Sequence, residues 1–274
     1  MTPLLRRTFV MVAAAAAITA AITAAGAAEP KLRVLVLSGA NNHDWKQTTP
    51  IIKTTLEDTG RFSVDVEEKV ATLKPQSLDP YGVILSDFNT FGQDPSVQVW
   101  DAAMKKAFID HLRKGHGLVI VHAGSSGFYD WPEFQKIACG SWQAATSHGP
   151  IQVDRIHFTD VQSPITAGLQ SFWIRDEFWK DVGVAPGVAA LAYVSSLTTP
   201  TKDGGKTARI LFTTEVGGAR GFAMFLGHDT TAMKNTAWRT LLQRGTEWAA
   251  TGKVTIPPAK DWPATKEDAE RMTK

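Results

Sequence analysis

Three uninterrupted apolar runs constrain this chain more than any other feature. They are KLRVLVLS at 31–38, GVILSD at 82–87 and GLVIVH at 117–122. A strand with one wet face alternates apolar and polar residues, whereas a strand lacking polar positions is covered on both faces. The first run ends in Gly39-Ala40-Asn41-Asn42 and the third in Ala123-Gly124-Ser125-Ser126-Gly127. Between the runs the apolar period changes. Thr48 to Thr59 spaces Ile51, Ile52 and Leu56 helically and stops at Gly60. Val97 to Lys114 does the same with Val99, Ala103, Ala107, Ile109 and Leu112, and stops at Gly115. Phe62 to Glu67 alternates as a further strand. Doubly buried strands separated by helices predict an α/β fold, a mostly parallel sheet between two helical layers.

The second half reads differently. Pro150 to Phe158 alternates, as a half-exposed strand does. Phe172 to Glu177, Val188 to Tyr193 and Ala208 to Thr214 read as strands, and Gly221 to Leu226 as a buried one ending in Gly227-His228-Asp229. Thr236 to Ala250 is a helix closed near Gly252. These segments predict an antiparallel addition to the sheet within one domain spanning 29–253. The tail, 254–274, is rich in Pro and charge and is expected to be extended or frayed.

Residues 1–28 read as a secretory signal. Arg6 and Arg7 supply the charge, Phe9 to Ala25 is apolar or small, and Ala25-Gly26-Ala27 is a small-x-small cleavage pattern. Arg6-Arg7-Thr8-Phe9-Val10 favours a twin-arginine signal over a general secretory one. The alanine-rich stretch is only modestly apolar, so no stable membrane anchor is expected, and the protein is placed in the periplasm or outside the cell. Lys and Arg number 29 against 27 Asp and Glu, so losing Arg6 and Arg7 leaves 27 of each. That balance gives no general grip on nucleic acid or anionic membrane. A single cysteine, Cys139, excludes an intramolecular disulfide and a cysteine-cluster metal site.

Ligands of open parallel sheets bind beyond the carboxyl ends of the strands. His43 follows the first run, His122 closes the third, and His228 follows the GFAMFL strand. His148 lies in a turn before the next strand. His111 and His116 fall at the opposite edge, and His157 on an alternating strand. Asp44, Asp229 and Asp176-Glu177 put carboxylates beside this rim, where they can orient an imidazole or raise its basicity. Asp229 reads equally as a helix N-cap. His43, His122 and His228 with a carboxylate suit one divalent metal ion with an open position, although no short metal motif such as HExxH is present. The Gly124-Ser125-Ser126-Gly127 turn lacks GxSxG spacing, and it suits reception of a carbonyl or anionic oxygen by backbone N–H groups. Neither a Walker lysine nor GxGxxG is present. Cys139 reads as a buried thiol. Nine tryptophans stand against three tyrosines. Trp45, Trp131, Trp142 and Trp179 fall in loops near the rim, where an indole can stack on a sugar ring, while Trp238 and Trp248 read as core.

Taken in order, several segments resemble the ThuA-like (trehalose utilisation) family. They are VLVLSG at 34–39 with HDWKQTTP at 43–50, GHGLVIVH at 115–122, SPITAGL at 163–169 with Asp176-Glu177-Phe178-Trp179, and GFAMFLGHD at 221–229 with the Trp238 to Trp248 helix. The resemblance covers about Lys31 to Lys253. It implies a flavodoxin-like three-layer sandwich similar to class I glutamine amidotransferases. Those enzymes carry a cysteine in the tight turn after a central strand, where this chain has His122, so the resemblance does not carry amidotransferase chemistry. It implies catabolism of disaccharides through 3-keto sugars, with His43, His122, Glu177 and His228 at the family's recurring polar positions. On that basis His122 or His43 is expected as base, Glu177 as orienting or acid group, and His228 as electrophilic stabiliser or metal ligand. Trp45, His148, Asp176 and Asp229 are expected to bind substrate, a small-molecule carbohydrate. Two other readings stay open: a non-catalytic carbohydrate-binding protein, and a metal-dependent hydrolase of a different small substrate.

Overall fold

In the computed structural model, which describes residues 30–92, 99–128 and 131–274, the doubly apolar runs form the centre of a sheet. Residues 1–28 and the expected helix start at Val97 lie outside the described residues. The sheet strands are β1 (Leu32–Leu37), β2 (Phe62–Glu67), β3 (Val83–Ser86), β4 (Gly117–Val121), β5 (Gln152–Phe158), β6 (Phe172–Asp176), β7 (Ala189–Val194), β8 (Ala208–Val216) and β9 (Ala219–Met224). The helices are α1 (Trp45–Glu57), α2 (Ala102–Arg113), α3 (Pro132–Ile137), α4 (Thr230–Met233), α5 (Thr236–Thr251) and α6 (Lys266–Met272). Among the described residues the sheet has nine strands, in the order β2-β1-β3-β4-β9-β8-β7-β5-β6. β2, β1, β3, β4 and β9 pair in parallel, and every pairing from β9 to β6 is antiparallel.

The apolar runs are continuous because successive side chains enter two different cores. In β1, Val34 and Val36 join Ile52, Leu56, Trp238 and Leu242 beneath α1 and α5. Leu35 and Leu37 point the other way, to Phe108, Leu112 and Phe134 beneath α2 and α3. This is the predicted three-layer arrangement, flavodoxin-like and mostly parallel at one end, with a mixed remainder.

Two local expectations differ. α1 begins at Trp45, a turn earlier than the apolar spacing indicated, because its first turn is polar. Pro50 sits inside the helix on the exposed face, where the missing N–H leaves only a solvated carbonyl. The tail has neither helix nor strand from 253 to 264, but it is packed rather than frayed. Trp262 packs edge-on to Phe172 with ring centroids 5.6 Å apart, and the Trp173 N–H of edge strand β6 donates to Pro263 O at 2.9 Å. Thr265 and Asp268 form a capping box that starts α6, and Ala269 is buried. The tail therefore covers a sheet edge and belongs to the same compact unit, 31–274.

Candidate active site

β1, β3, β4 and β9 run in one direction, so their carboxyl ends share one rim. Successive antiparallel pairings through β8, β7 and β5 return β6 to that direction. β6 nevertheless lies four places from β9, and a flat sheet would leave its end about 19 Å away. Coiling of the sheet closes this distance. The Asp176 carboxylate at the end of β6 accepts the N–H groups of Gly227 (2.6 Å) and His228 (3.1 Å) in the loop after β9. Glu177 is thereby delivered to the histidines.

Three imidazoles converge there. The ring centroids of His43 lie 4.8 Å from those of His122 and His228, and His122 and His228 are 5.5 Å apart. Glu177 lies among them, 7% exposed. Its Oε1 accepts the Trp179 indole N–H at 3.0 Å and stands 3.7 Å from His122 Nε2. Its Oε2 stands 2.9 Å from His148 Nδ1 and 3.7 Å from His228 Nε2.

Each ring's tautomer follows from its neighbours. His122 Nδ1 faces the Phe225 carbonyl at 3.2 Å and so carries the proton, which leaves Nε2 as a buried lone pair without a hydrogen-bond partner. His43 Nδ1 faces Asn41 Oδ1 at 3.0 Å. The Asn41 amide is oriented by its own NH₂, which donates to Asp87 O at 2.8 Å, and by Asn89, whose NH₂ donates to Asn41 Oδ1 at 2.7 Å. Asp87 is buried and accepts from Thr49 Oγ1 at 2.8 Å; burial pushes its carboxyl up to about 7 despite the threonine hydroxyls. His148 Nδ1 lies between two acceptors, Glu177 and the Gly149 carbonyl (2.8 Å), so Nδ1 carries a proton and Nε2 is the nitrogen left without either partner.

Charge divides the cluster. Burial, reinforced by His228 and His148, lowers His43 to about 4. Burial, with His43 and His228 nearby, holds His122 well below its usual range. His228 moves the other way: the Asp229 carboxylate 3.8 Å from Nδ1 favours its imidazolium against partial burial, and Glu177 and Asp176 add to the effect. At neutral pH the site therefore holds two neutral imidazoles and one that favours its cation.

The backbone at His122 is unusual. Its φ of +43° is a left-handed conformation that non-glycine residues rarely adopt. The turn that follows closes tightly on β3: a Cβ at Gly124 would lie 2.0 Å from Ser86 O. His122 thus occupies a strained strand-to-turn corner of the kind found at functional sites.

Of these groups His43, Glu177, His148 and His228 line a cavity of about 360 Å³. Its floor includes His43, Glu177, His228 and Ser126, whose Oγ is buried without a partner. Its walls are His148, Trp142, Trp179 and Phe91. Trp142 packs edge-on to Trp179 (5.0 Å) and to Phe91 (6.4 Å), and Phe91 is 51% exposed at the mouth.

Several expected positions lie elsewhere. Trp45 is the first residue of α1 and lines a separate groove with Lys53 and Glu68. Asp176 is 1% exposed and spends both oxygens on the backbone N–H groups of Glu177, Gly227 and His228, so it shapes the site without facing the cavity. Asp229 caps α4 through Ala232 N and pairs with Arg175 at 3.3 Å, touching the site only through His228. Trp131 is buried among Phe108, Phe128 and Phe134. His228 was expected as a metal ligand, but the donors that meet within 4.8 Å of one another are His43, His122 and Glu177. Cys139 is buried, with its thiol pushed far up by burial. Asn41, Asp87 and Phe91 were not anticipated. Asp87 closes the β3 run and so obeys the strand-end rule that singled out the histidines, whereas nothing local marks Phe91 as exposed.

Residues 33–249 match the family model described as ThuA, trehalose utilisation. Among solved structures, a protein described as ThuA-like from Parabacteroides merdae ATCC 43184 is 27% identical with a TM-score of 0.73, covering 87% of this chain and 99% of its own. A second, from Bacteroides uniformis ATCC 8492, is 19% identical with a TM-score of 0.60, over 85% of this chain and 96% of its own. A cytoplasmic protein of Salmonella typhimurium LT2 shares the fold at 12% identity and a TM-score of 0.58, over 80% of this chain and 99% of its own. No curated protein matches the chain. Among the described residues no helix is long and apolar enough to cross a membrane.

Proposed function

The chain belongs to the ThuA (trehalose utilisation) family, and from that membership we propose that it is an exported enzyme acting on a 3-keto glycoside or related oxidised disaccharide. The observation that carries this reading is the meeting of His43, His122, His228 and Glu177, of which His43, His228 and Glu177 line one aromatic-walled cavity. Export rests on the signal-like residues 1–28.

In a 3-keto glycoside the carbonyl acidifies the neighbouring C2–H. A base takes that proton and the electrons pass to the C3 oxygen as an enolate. The enolate re-forms the carbonyl and a C1=C2 double bond as the C1–oxygen bond breaks, and the departing oxygen gains a proton from an acid. His148 suits the base: its Nδ1 is anchored by Glu177 and the Gly149 carbonyl, and its half-exposed ring lines the cavity. His228 suits the acid or the enolate's partner, since its surroundings favour the imidazolium. His43 and His122, the bases expected from sequence, are held as neutral groups, His43 in the cavity lining and His122 buried against it. Phe91 and Trp142 offer an apolar face to the second sugar.

The test is incubation of the purified protein with 3-keto disaccharides, followed by mass analysis of products. The expected result is release of the aglycone and an unsaturated keto sugar, with His148→Ala slowed about 10²–10⁴-fold. Saturable sugar binding without any product would overturn the enzymatic reading in favour of a carbohydrate-binding protein.

A further inference from the structure

We propose that His43, His122 and Glu177 hold one divalent transition-metal ion through the two Nε2 atoms and a carboxylate oxygen, its open positions facing the cavity. Its part in sugar chemistry rests on the reading above; its binding does not.

The donor set is the first argument. Two imidazoles and a carboxylate meet within 4.8 Å, and with each Nδ1 turned to an acceptor both rings present Nε2 to the carboxylate. His122 Nε2 stands 3.7 Å from Glu177 Oε1 with no donor between them, and it is buried without any hydrogen-bond partner. Acceptors that face one another in a buried place repel unless a cation lies between them. Ligands on one tetrahedral ion with bonds of about 2.0–2.1 Å lie about 3.4 Å apart, so small side-chain movements bring these three into range.

The surroundings of the ligands are the second argument. A ligating histidine characteristically donates its other ring N–H to a fixed acceptor. Both do so here, His122 to Phe225 O and His43 to Asn41 Oδ1. The Asn41 amide is itself locked by Asn89 and by Asp87 O. Glu177 keeps a lone pair on each oxygen after accepting from Trp179 and His148. Two imidazoles and one carboxylate suit zinc, iron or manganese, and suit calcium or magnesium poorly.

His228 stands outside this trio. Its ring packs against His43, and its Nδ1 faces Asp229. That leaves it beside the open coordination positions as a substrate-facing group.

The test uses the purified full-length protein, stripped with chelator and then titrated separately with Zn²⁺, Mn²⁺ and Co²⁺. The readouts are bound metal per chain and the visible absorption of the cobalt form. The expected result is one equivalent per chain, with affinity lowered at least 100-fold by His43→Ala, His122→Ala and Glu177→Gln, and unchanged by His157→Ala. Glu177→Gln keeps the shape of its side chain, and far-UV circular dichroism checks that each variant folds. Folded wild-type protein that takes up less than a tenth of an equivalent and gives no cobalt band would overturn the proposal, as would full affinity in folded Glu177→Gln. One equivalent of metal without any sugar turnover would sustain this site and count against the 3-keto glycoside reading alone. Sugar turnover undiminished in metal-free protein would sustain that reading and overturn a role for the ion.

Discussion

At the scale of single residues, the site depends on side chains that never reach its cavity. Asn41 fixes which nitrogen of His43 carries the proton. Asn41→Ala removes the acceptor at Nδ1, frees the ring to rotate and exchange tautomers, and is expected to weaken metal binding about 10–100-fold with little change in fold. A cobalt titration checks this, and unchanged affinity would show that His43 is held by packing alone. On the proposed reading Phe91, half-exposed in the cavity lining, meets the substrate's far sugar. Phe91→Ala is expected to raise KM with kcat nearly unchanged, because a stacking contact made equally in ground and transition states is lost. Steady-state kinetics on mono- and disaccharide 3-keto substrates separates the two parameters. The histidines at strand ends were legible in the sequence because position on a parallel sheet predicts a rim. Asp87 was legible by the same rule and went unread. Asn41 was not, because its role is set by a contact with a residue 46 positions away.

Elements carry the site through the coiling of the sheet and the covering of its edge. Asp176 fastens the end of β6 to the loop after β9, and replacing one carboxylate oxygen by NH₂ would set a donor against a backbone N–H. Asp176→Asn is therefore expected to lower turnover much more than Tm, by displacing Glu177; equal activity in the variant would contradict this. The C-terminal segment is tied down at Glu247 of α5, whose buried carboxylate accepts from Thr255 N (2.7 Å), Ile256 N (3.1 Å) and Arg61 Nε (3.2 Å). Burial alone would raise its pKa, but the hydrogen bonds from Thr255, Ile256 and Arg61 outweigh it and hold the carboxyl below the usual 4.5. A depressed carboxyl stabilises the fold above its unfolded pKa, and this contribution is lost as pH falls through the folded value. Glu247→Gln is expected to cost about 1–3 kcal/mol at neutral pH and to flatten the acid limb of the stability curve. Denaturant melts at pH 3–7 would show it. Pro and charge in the tail suggest a loose end, and its irregular first half agrees, but its packing is not legible there. Its anchors, Trp262 on Phe172 and the capping box at Thr265, have meaning only once β6 presents an open edge.

Across the whole molecule, the sandwich was readable because each central strand is apolar on both faces, a pattern with few other solutions. The antiparallel half was readable strand by strand, but its coiling was not, since no local pattern tells how far a sheet curls. Glu177 could therefore be placed at a strand end from sequence, while its meeting with histidines four to seven strands away could not. The same coiling explains why Asp176 lies behind the site, bonded to the loop after β9. It also explains how loops from both halves of the chain enclose one cavity. The central claim is that these strand ends make a single working site on an oxidised sugar, with Glu177 at its hub. The most direct measurement is turnover of a 3-keto disaccharide by wild-type protein and by Glu177→Gln, with folding verified for both. The account predicts measurable cleavage by the wild type and a loss of about 10³-fold or more in the variant. Equal turnover by the two proteins would contradict it.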